Sequence, residues 1–310
     1  MRKLYSCLVI GLMLSACSGA GDGQANGAAE ADTARWQVAV LPTMDCLPLM
    51  LADAEGYFAE EGVSVGLRRY QAQLDIDTAL LGGSVVAGVT DLARVEHLRQ
   101  QGLSLSCVTA TDAAWQLYTM RTARISKLVQ LDDKMMAMTR YSATDMLSDL
   151  VVDSAKLKSE RVFRIQVNDL GVRLGMLQSG IMDAMFLPEP QATAARNLKA
   201  QMIFDTRKAQ LFLGCIAFAE DSLKGHDGEL KALLRAYDRA VDSLNTHGIH
   251  AYNSLMEAEF GVPQSAIDSL PADLKFRRSQ APREADVSRV KQWWEKRVAS
   301  MKYVEKRYLQ

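Results

Sequence analysis

Polar side chains follow most of the apolar runs of this sequence, at positions where a strand would end. The candidate ligand contacts among them are Asp45, Thr90, Asp91, Thr111, Asp112, Tyr141, Ser142, Thr144, Asn168 and Glu189. In an open α/β sheet, ligands bind outside the carboxyl ends of the strands, so we expect these loops to meet at one cleft. Acids outnumber bases among them, with Arg140 as the neighbouring cation. That charge favours a cationic or amine-bearing ligand, on which Tyr141 can stack.

Several of these side chains can instead serve the helices that follow them. Asp91, Ser142 and Thr144 are good N-caps, whose side-chain oxygens accept a backbone N–H. Capping and ligand contact can coexist, because a helix N-terminus also presents free N–H groups to an anion. Glu189 stands between two prolines that stiffen the backbone around it. It is therefore either a ligand contact or an acid in a surface turn.

The sequence predicts no metal site, no cofactor and no catalytic residue. The four histidines are scattered, and no cysteine cluster or Ser–His–acid order stands out. Cys46, Cys107 and Cys215 lie in the part expected to fold. Cys107 and Cys215 stand in strand-like runs, where they can form a disulfide or remain buried thiols that pack as small apolar groups.

The first residues have the pattern of a secretory signal. Arg2 and Lys3 precede an apolar stretch over residues 4–14, which is shorter than the roughly 20 residues that span a bilayer. The stretch ends in the letters LSAC, which resemble a bacterial lipobox. That resemblance implies a signal peptide over residues 1–16 and a diacylglycerol on Cys17. The alternative is an ordinary cleaved signal with an incidental cysteine.

Residues 17–34 are predicted to form a flexible tether, because the segment after Cys17 contains no large apolar side chain. Loss of Arg2 and Lys3 with the signal changes the formal charge from −1 to −3. This charge, with no basic block along the chain, argues against nucleic acid as a partner. We expect contact with a membrane through the lipid anchor only.

Apolar strand-like runs alternate with helical patterns from Trp36 onward, which predicts an α/β fold with mostly parallel sheets. One of the predicted helices covers residues 49–61, closed by Gly62. The length exceeds what one hydrophobic core usually supports, and the alternation restarts in the middle of the chain. We therefore predict two α/β lobes joined by a hinge. Lobe I is discontinuous, from residues 35–124 and 209–310, and lobe II covers residues 125–208.

Three stretches of the sequence carry a resemblance to a known family. They are Leu47-Pro48 with Ala52, Gly56-Tyr57-Phe58 and Glu61-Gly62-Val63; Ala79-Leu80-Leu81-Gly82-Gly83 with Val89-Thr90-Asp91; and Gly180-Ile181-Met182-Asp183-Ala184 with Glu189-Pro190. In this order they resemble the nitrate/sulfonate/taurine and thiamine-precursor family of ABC-transporter solute-binding lipoproteins. The resemblance implies the type II periplasmic-binding-protein fold. It also implies that ligand is contacted at Asp45, Thr90, Asp91, Ser142, Thr144 and Glu189.

The resemblance further implies a function and a location. The chain would be an extracytoplasmic solute-binding lipoprotein that captures a small molecule between its lobes and delivers it to an ABC permease. It would be anchored by lipid to the cell membrane or the outer membrane, facing the periplasm or the exterior. One departure is Tyr141, which stands where the family usually has a glycine and puts an oxyanion contact at that helix in doubt. Two alternatives are an enzyme on the same fold, similar to thiamine-pyrimidine synthases or a chorismate-derived dehydratase, and a ligand sensor without a transporter.

Overall fold

The structure is a computed structural model that describes residues 36–308, with side chains described up to residue 300. The predicted signal peptide, the lipid attachment at Cys17 and the tether lie outside the described residues. Among the residues described, no helix is both long enough and apolar enough to cross a membrane.

The described residues form ten strands and twelve α-helices. The strands are β1 (Trp36–Val40), β2 (Val65–Arg69), β3 (Ala87–Asp91), β4 (Leu105–Ala110), β5 (Gln116–Thr119), β6 (Lys134–Met138), β7 (Val162–Gln166), β8 (Ala184–Leu187), β9 (Gln201–Asp205) and β10 (Gly214–Ala219). The helices are α1 (Leu47–Ala54), α2 (Tyr57–Glu60), α3 (Gln73–Leu81), α4 (Leu92–Gln100), α5 (Ala143–Ser154), α6 (Leu170–Gln178), α7 (Gln191–Asn197), α8 (Glu220–Leu223), α9 (Asp227–His247), α10 (Asn253–Phe260), α11 (Gln264–Asp268) and α12 (Glu284–Tyr308).

The first sheet, on which lobe I is built, has the strand order β2-β1-β3-β10-β4. β1 is parallel to β2 and β3, whereas β10 is antiparallel to β3 and β4. Every residue of β3 is buried, as expected for a strand covered on both faces. A side chain at Gly88 would place its Cβ 2.8 Å from Ile76 Cγ2, so α3 packs directly on the backbone of this strand.

The second sheet, on which lobe II is built, has the order β7-β6-β8-β5-β9. β6 is parallel to β7 and β8, and β5 is antiparallel to β8 and β9. The predicted boundary at residue 124 assigned β5 to lobe I, and its pairing places it in lobe II instead. The α/β architecture with two sheets is as the sequence predicts. The expectation of mostly parallel sheets is wrong, because four of the eight strand pairings are antiparallel.

Two chain segments cross between the lobes, residues 111–115 and 206–213, and they run side by side. Thr206 N donates to Trp115 O at 3.1 Å, and Thr111 N donates to Gly214 O at 3.0 Å. Gly214 has no room for a side chain, because an added Cβ would lie 2.3 Å from Thr111 Oγ1. Paired crossings of this kind let two lobes rotate about a narrow waist.

Two details of the helices differ from the sequence-based prediction. The helix predicted over residues 49–61 is broken into α1 and α2 at Gly56, whose φ of 72° is left-handed and favours glycine. The last helix, α12, does not belong to lobe I alone. It packs on α4 of lobe I, while Trp293 Nε1 donates to Asp149 Oδ2 at 2.7 Å and Arg297 bonds Asp145, both in α5 of lobe II.

The apolar core of lobe I lies between its sheet and the helices α1 and α9. Along α9, Leu233, Tyr237, Val241 and Leu244 are buried, which is the spacing of one helical face. A second cluster continues from lobe I into lobe II, since Leu92 of α4 and Leu147 of α5 belong to the same buried set. The lobes are therefore in apolar contact beside the cleft.

Candidate ligand-binding cleft

A cavity of about 60 Å³ lies between the lobes. Lobe I and the crossings contribute Leu41, Thr43, Asp45, Gln73, Val89, Thr90, Asp91, Ala113 and Trp115. Lobe II contributes Thr139, Ser142, Thr144, Asn168, Leu170, Arg173 and Pro188. Several lining residues sit at or just beyond the carboxyl ends of parallel strands, where α/β sheets bind ligands. A volume of this size holds a small molecule, because one water needs roughly 10–15 Å³ on the same measure.

Asp45 is a buried acid in the lobe I wall, in a short 3-10 turn over Met44–Cys46. Thr111 Oγ1 donates to Asp45 Oδ2 at 3.0 Å. No cation among the described residues forms an ion pair with this carboxylate. Burial raises the pKa of Asp45 above its usual value, and its hydrogen bonds to Thr43 and Thr111 oppose that rise. Asp45 is thus a carboxyl group that lacks a compensating charge.

Asp91 has a different role, because its carboxylate joins two helices from different lobes. Asp91 Oδ1 accepts from Arg94 N at 2.9 Å, which caps α4, and from Ala143 N at 2.9 Å, at the start of α5. Burial raises the pKa of Asp91, and these backbone donors act against the rise. Capping and a place in the cavity wall coexist here, and the cap also fastens lobe I to lobe II.

The hydroxyls of lobe II form one connected cluster at the start of α5. Ser142 caps the helix and donates through Oγ to Thr139 O at 2.7 Å. Thr139 N donates to Thr144 Oγ1 at 2.9 Å, and the Ser142 and Thr144 hydroxyls are 2.9 Å apart. The first backbone N–H groups of α5 are therefore already bonded to protein. Ser142 and Thr144 both line the cavity.

Arg173 is a cavity residue that the sequence-based prediction missed. Its Nε donates to Val167 O at 2.7 Å, Nη1 to Phe186 O at 3.0 Å and Nη2 to Thr139 Oγ1 at 2.5 Å. No carboxylate in the described part of the chain forms an ion pair with it. Burial lowers the pKa of Arg173 to about 10, so it stays charged at neutral pH. The signal for it was an arginine on the buried face of α6, between Leu170 and Leu177.

The remaining lining residues that were not predicted are mostly apolar or uncharged. They are Leu41, Thr43, Gln73, Val89, Ala113, Trp115, Thr139, Leu170 and Pro188. Gln73 Nε2 donates to Thr90 Oγ1 at 3.0 Å, which orients the hydroxyl of a predicted contact. Such residues carry no signal of their own in a single sequence. Asn168, by contrast, lies in the cavity wall as expected.

Four predicted contacts do not line the cavity. Asp112 accepts from Arg277, through N at 2.7 Å and Nε at 2.6 Å, and so holds the C-terminal segment instead of a ligand. Thr111 lies behind Asp45, to which it donates. Tyr141 turns away and stacks on His97, with ring centroids 4.4 Å apart. Its φ of 60° is left-handed, which accounts for the glycine usual at this position in the family it resembles.

Glu189 is the fourth, and its carboxylate faces its own helix. Oε2 accepts from Thr193 N at 2.9 Å and from Thr193 Oγ1 at 2.7 Å, and Oε1 accepts from Arg196 Nη2 at 2.8 Å. The side chain is buried and already ion-paired, so it is neither a surface turn acid nor a cavity contact. Its backbone matters more for the cleft, because Glu189 O accepts from Met44 N of lobe I at 2.9 Å.

A group of contacts holds the two lobes together near the hydroxyl groups of Ser142 and Thr144. We define the cross-lobe latch as Asp91, which caps α4, with Arg94 and His97 of α4, against residues 140–143 of lobe II. Arg94 Nη1 donates to Arg140 O at 2.7 Å, and Arg94 Nε is 2.7 Å from Asp77 Oδ2. Burial outweighs the attraction of Arg94 and raises the pKa of Asp77 to about 7.

On the other side of the cleft, Gln191 Nε2 donates to Pro42 O at 2.9 Å. Together with the bond from Met44 N to Glu189 O, this contact joins β1's loop to the loop after β8. The lobes are thus held together on both sides of the cavity, in the arrangement of a closed clamp.

The described residues contain no group of histidine, cysteine and acidic side chains that could hold a metal. Cys46, Cys107 and Cys215 are free thiols in this structure. The sulfur atoms of Cys107 and Cys215 lie 3.7 Å apart across β4 and β10.

The sequence profile of the family described as NMT1/THI5 like matches residues 43–248, more than half of the chain. No curated protein sequence matches this chain. Three solved structures illustrate the likeness of fold. The periplasmic aliphatic sulphonate binding protein SsuA from Escherichia coli is 16% identical, with a TM-score of 0.69 over 85% of this chain and 87% of that one.

The other two structures agree with the first. The alkanesulfonate-binding protein SsuA from Xanthomonas axonopodis pv. citri is 15% identical, with a TM-score of 0.70 over 87% of this chain and 93% of that one. The periplasmic nitrate-binding protein NrtA from Synechocystis PCC 6803 is 14% identical, with a TM-score of 0.67 over 79% and 73%. This chain therefore has the two-lobed fold of periplasmic binding proteins.

Proposed function

This chain belongs to the NMT1/THI5-like family, and from that premise we propose that it is an extracytoplasmic solute-binding protein of an ABC import system. One observation carries the proposal: a small cavity is lined by residues of both lobes, and the lobes are joined by two paired crossings. A binding protein needs such a cavity to open for entry and to close around its ligand.

Closure stabilised by ligand is the proposed mechanism. In the open state the polar groups of both walls are hydrated, and the direct bonds between lobes, such as that from Ala143 N to Asp91, are broken. A ligand that contacts both walls stabilises the closed form by its difference in affinity for the two states. The closed form, with the loops after β1 and β8 brought together, is then the form that a permease recognises.

The site of attachment is part of the same proposal. The LSAC sequence at residues 14–17 supports a lipid on Cys17, and the 18-residue segment from there to residue 34 would act as the tether. Two or three acyl chains hold a protein on a membrane, since each buried methylene contributes about 0.8 kcal/mol. The folded part would then face the periplasm or the exterior, close to a permease.

The charge of the cavity supports an amine-bearing or cationic ligand. Asp45 and Asp91 both line it, and burial raises the pKa of each. A bound cation would offset the cost of ionising a buried carboxyl group. The likeness to sulfonate- and nitrate-binding proteins supports the fold and leaves the ligand to be argued from these side chains.

The proposal is tested by isolating the ligand. The full lipoprotein is purified without denaturant, and any small molecule released on unfolding is identified by mass spectrometry. Returned to the stripped protein at 100 times its dissociation constant, that molecule should raise the stability by roughly 2.7 kcal/mol. If nothing is released, and no compound among amines, pyrimidines, sulfonates and carboxylates shifts the melting temperature, the chain is not a solute receptor.

A further inference from the structure

The cavity wall contains two opposite charges without partners, one on each lobe. Asp45 is the acid in lobe I, and Arg173 is the base in lobe II. Neither forms an ion pair with another described side chain, although both are buried. The other charges of the cleft are accounted for, because Arg94 pairs with Asp77 and Asp91 is bonded to two backbone N–H groups.

A buried, uncompensated charge costs several kcal/mol, and a partner of opposite sign removes much of that cost. Asp45 needs a cation, whereas Arg173 needs an anion. A ligand with a single charge can satisfy only one of them. A ligand with both charges satisfies both walls at once, and it also bridges the lobes.

The surroundings of Arg173 suit the negative end of such a ligand. A guanidinium carries five N–H groups, and the three bonds to Val167 O, Phe186 O and Thr139 Oγ1 leave others unassigned. Thr139 connects it to the hydroxyls of Ser142 and Thr144, which also line the cavity. The backbone N–H groups at the start of α5 are used within the protein, so the anion site is built from side chains.

We propose that the ligand is a small zwitterion whose ammonium group contacts Asp45 and whose oxyanion contacts Arg173. This inference rests on the proposed function and adds the ligand's chemical class to it. The size of the cavity, about 60 Å³, suits a short molecule. Because the two charges are on different lobes, both ends of the ligand must be present for full closure.

The test compares probes that share a carbon skeleton. Ligand-free full-length protein is titrated by calorimetry with amino-carboxylates and aminosulfonates of two to four carbons, with the corresponding amines, and with the corresponding carboxylates and sulfonates. We expect the tightest zwitterion to bind at least tenfold more tightly than its matched amine or acid. If an amine or an acid alone binds as well as its zwitterion, this inference fails while the proposed function stands. If no class binds, this inference fails, and the isolation of a co-purified ligand decides the proposed function separately.

Substitutions at Asp45 and Arg173 test which charged end of the zwitterion each residue contacts. D45N should weaken the binding of the zwitterion at least tenfold and leave the affinity for the matched acid unchanged. R173M should also weaken the binding of the zwitterion at least tenfold, and it should leave the affinity for the matched amine unchanged. Asp75 and Arg121 are exposed and lie outside the cavity, so D75N and R121M are the matched controls and should bind as the wild type does. Because Arg173 also bonds two backbone carbonyls, R173M is compared only if its circular dichroism is native, and D45N alone decides the ammonium end. If D45N loses equal affinity for the zwitterion and for the matched acid, the assignment of the ammonium group to Asp45 is overturned.

Discussion

The Asp45 carboxyl group has a cost to the folded protein that a ligand can offset. Burial raises its pKa, so the folded state binds the proton more tightly than the unfolded state does. Its contribution to stability is therefore greatest at low pH and is lost as the pH rises from 3.8 through the raised value. The binding role proposed for Asp45 would then come at the expense of stability at neutral pH, as is common at functional sites.

Replacement of Asp45 by Asn should therefore make the ligand-free protein more stable relative to the wild type as the pH rises. Asn keeps the shape and an oxygen that accepts from Thr111, and it cannot ionise. We expect the difference in melting temperature, measured by calorimetry from pH 4 to pH 8, to shift in favour of the variant. D75N, on an exposed residue, should show no such trend. A variant that is less stable than the wild type by a constant amount at every pH would contradict the account.

Some site residues could be predicted from sequence and others could not, for a physical reason. Asp45, Thr90, Asp91, Ser142, Thr144 and Asn168 lie at or after the ends of strands, as the rule about strand ends expects, and all six line the cavity. Asp112 follows a strand too, but its partner Arg277 is 165 residues away, and nothing local reveals that pair. Arg173 lies inside helix α6, and the rule covers only residues at or after the ends of strands.

At the scale of elements, one face of α4 and the residue that caps this helix contact lobe II beside the cavity. Asp91, Arg94 and His97 are three residues apart, and all three meet lobe II. His97 stacks on Tyr141 and contacts the edge of Trp294 from α12, so three elements meet at its ring. Burial and the neighbouring charge of Arg94 lower the pKa of His97 to about 4, which keeps the ring neutral near pH 7.

The latch should weaken in acid. His97 is protonated in the unfolded state at about pH 6.5 and in the folded state only at about pH 4. Its contribution to stability is complete above 6.5 and is lost as the pH falls to about 4. We expect ligand affinity to drop severalfold more in the wild type than in H97F between pH 7.5 and pH 5, because phenylalanine stacks without titrating. Protonation of Asp45 affects both proteins equally. If the ligand affinities of the wild type and H97F depend on pH in the same way, protonation of His97 does not weaken the latch.

The hinge offers a prediction about glycine. An alanine at Gly214 would force its Cβ against Thr111 Oγ1 and against Ala113 Cβ, at 2.3 and 2.5 Å. Overpacking of this kind costs about 1–3 kcal/mol, so the melting temperature of G214A should fall by several degrees. Gly175, in α6, has nothing within 4 Å of an added Cβ, and G175A should be neutral or slightly more stable. A wild-type melting temperature for G214A would show that the crossings are not packed as described.

The types of the secondary-structure elements were easier to predict than the strands and helices with which each element pairs or packs. The alternation of strands and helices predicts the α/β architecture, because side-chain periodicity is local. The antiparallel pairings of β10 and β5 were not predicted, since the sequence indicated mostly parallel sheets. The sheet to which β5 belongs depends on its pairing with β8 and β9, which are more than 60 residues further along the chain. The position of α12 across both lobes likewise depends on Asp145 and Asp149, far from it in sequence.

At the scale of the whole molecule, the contacts between lobes fall into two groups around the cavity. The latch lies on one side, and the bonds from Met44 and Gln191 to the facing loops lie on the other. α12 adds a third connection, since Trp293 and Arg297 bond α5 while the same helix packs on α4. In the proposed mechanism, opening breaks these polar contacts, and a ligand that contacts both lobe walls supplies free energy for forming them again.

The most direct test of this account is the change in shape on binding. Small-angle X-ray scattering of the ligand-stripped protein, before and after the co-purified molecule is added back, measures the separation of the lobes. We predict that the radius of gyration decreases on addition, and that the bound curve matches the closed arrangement described above. A curve that already matches the closed form without ligand, and does not change when the ligand binds, would contradict a receptor that closes on its solute.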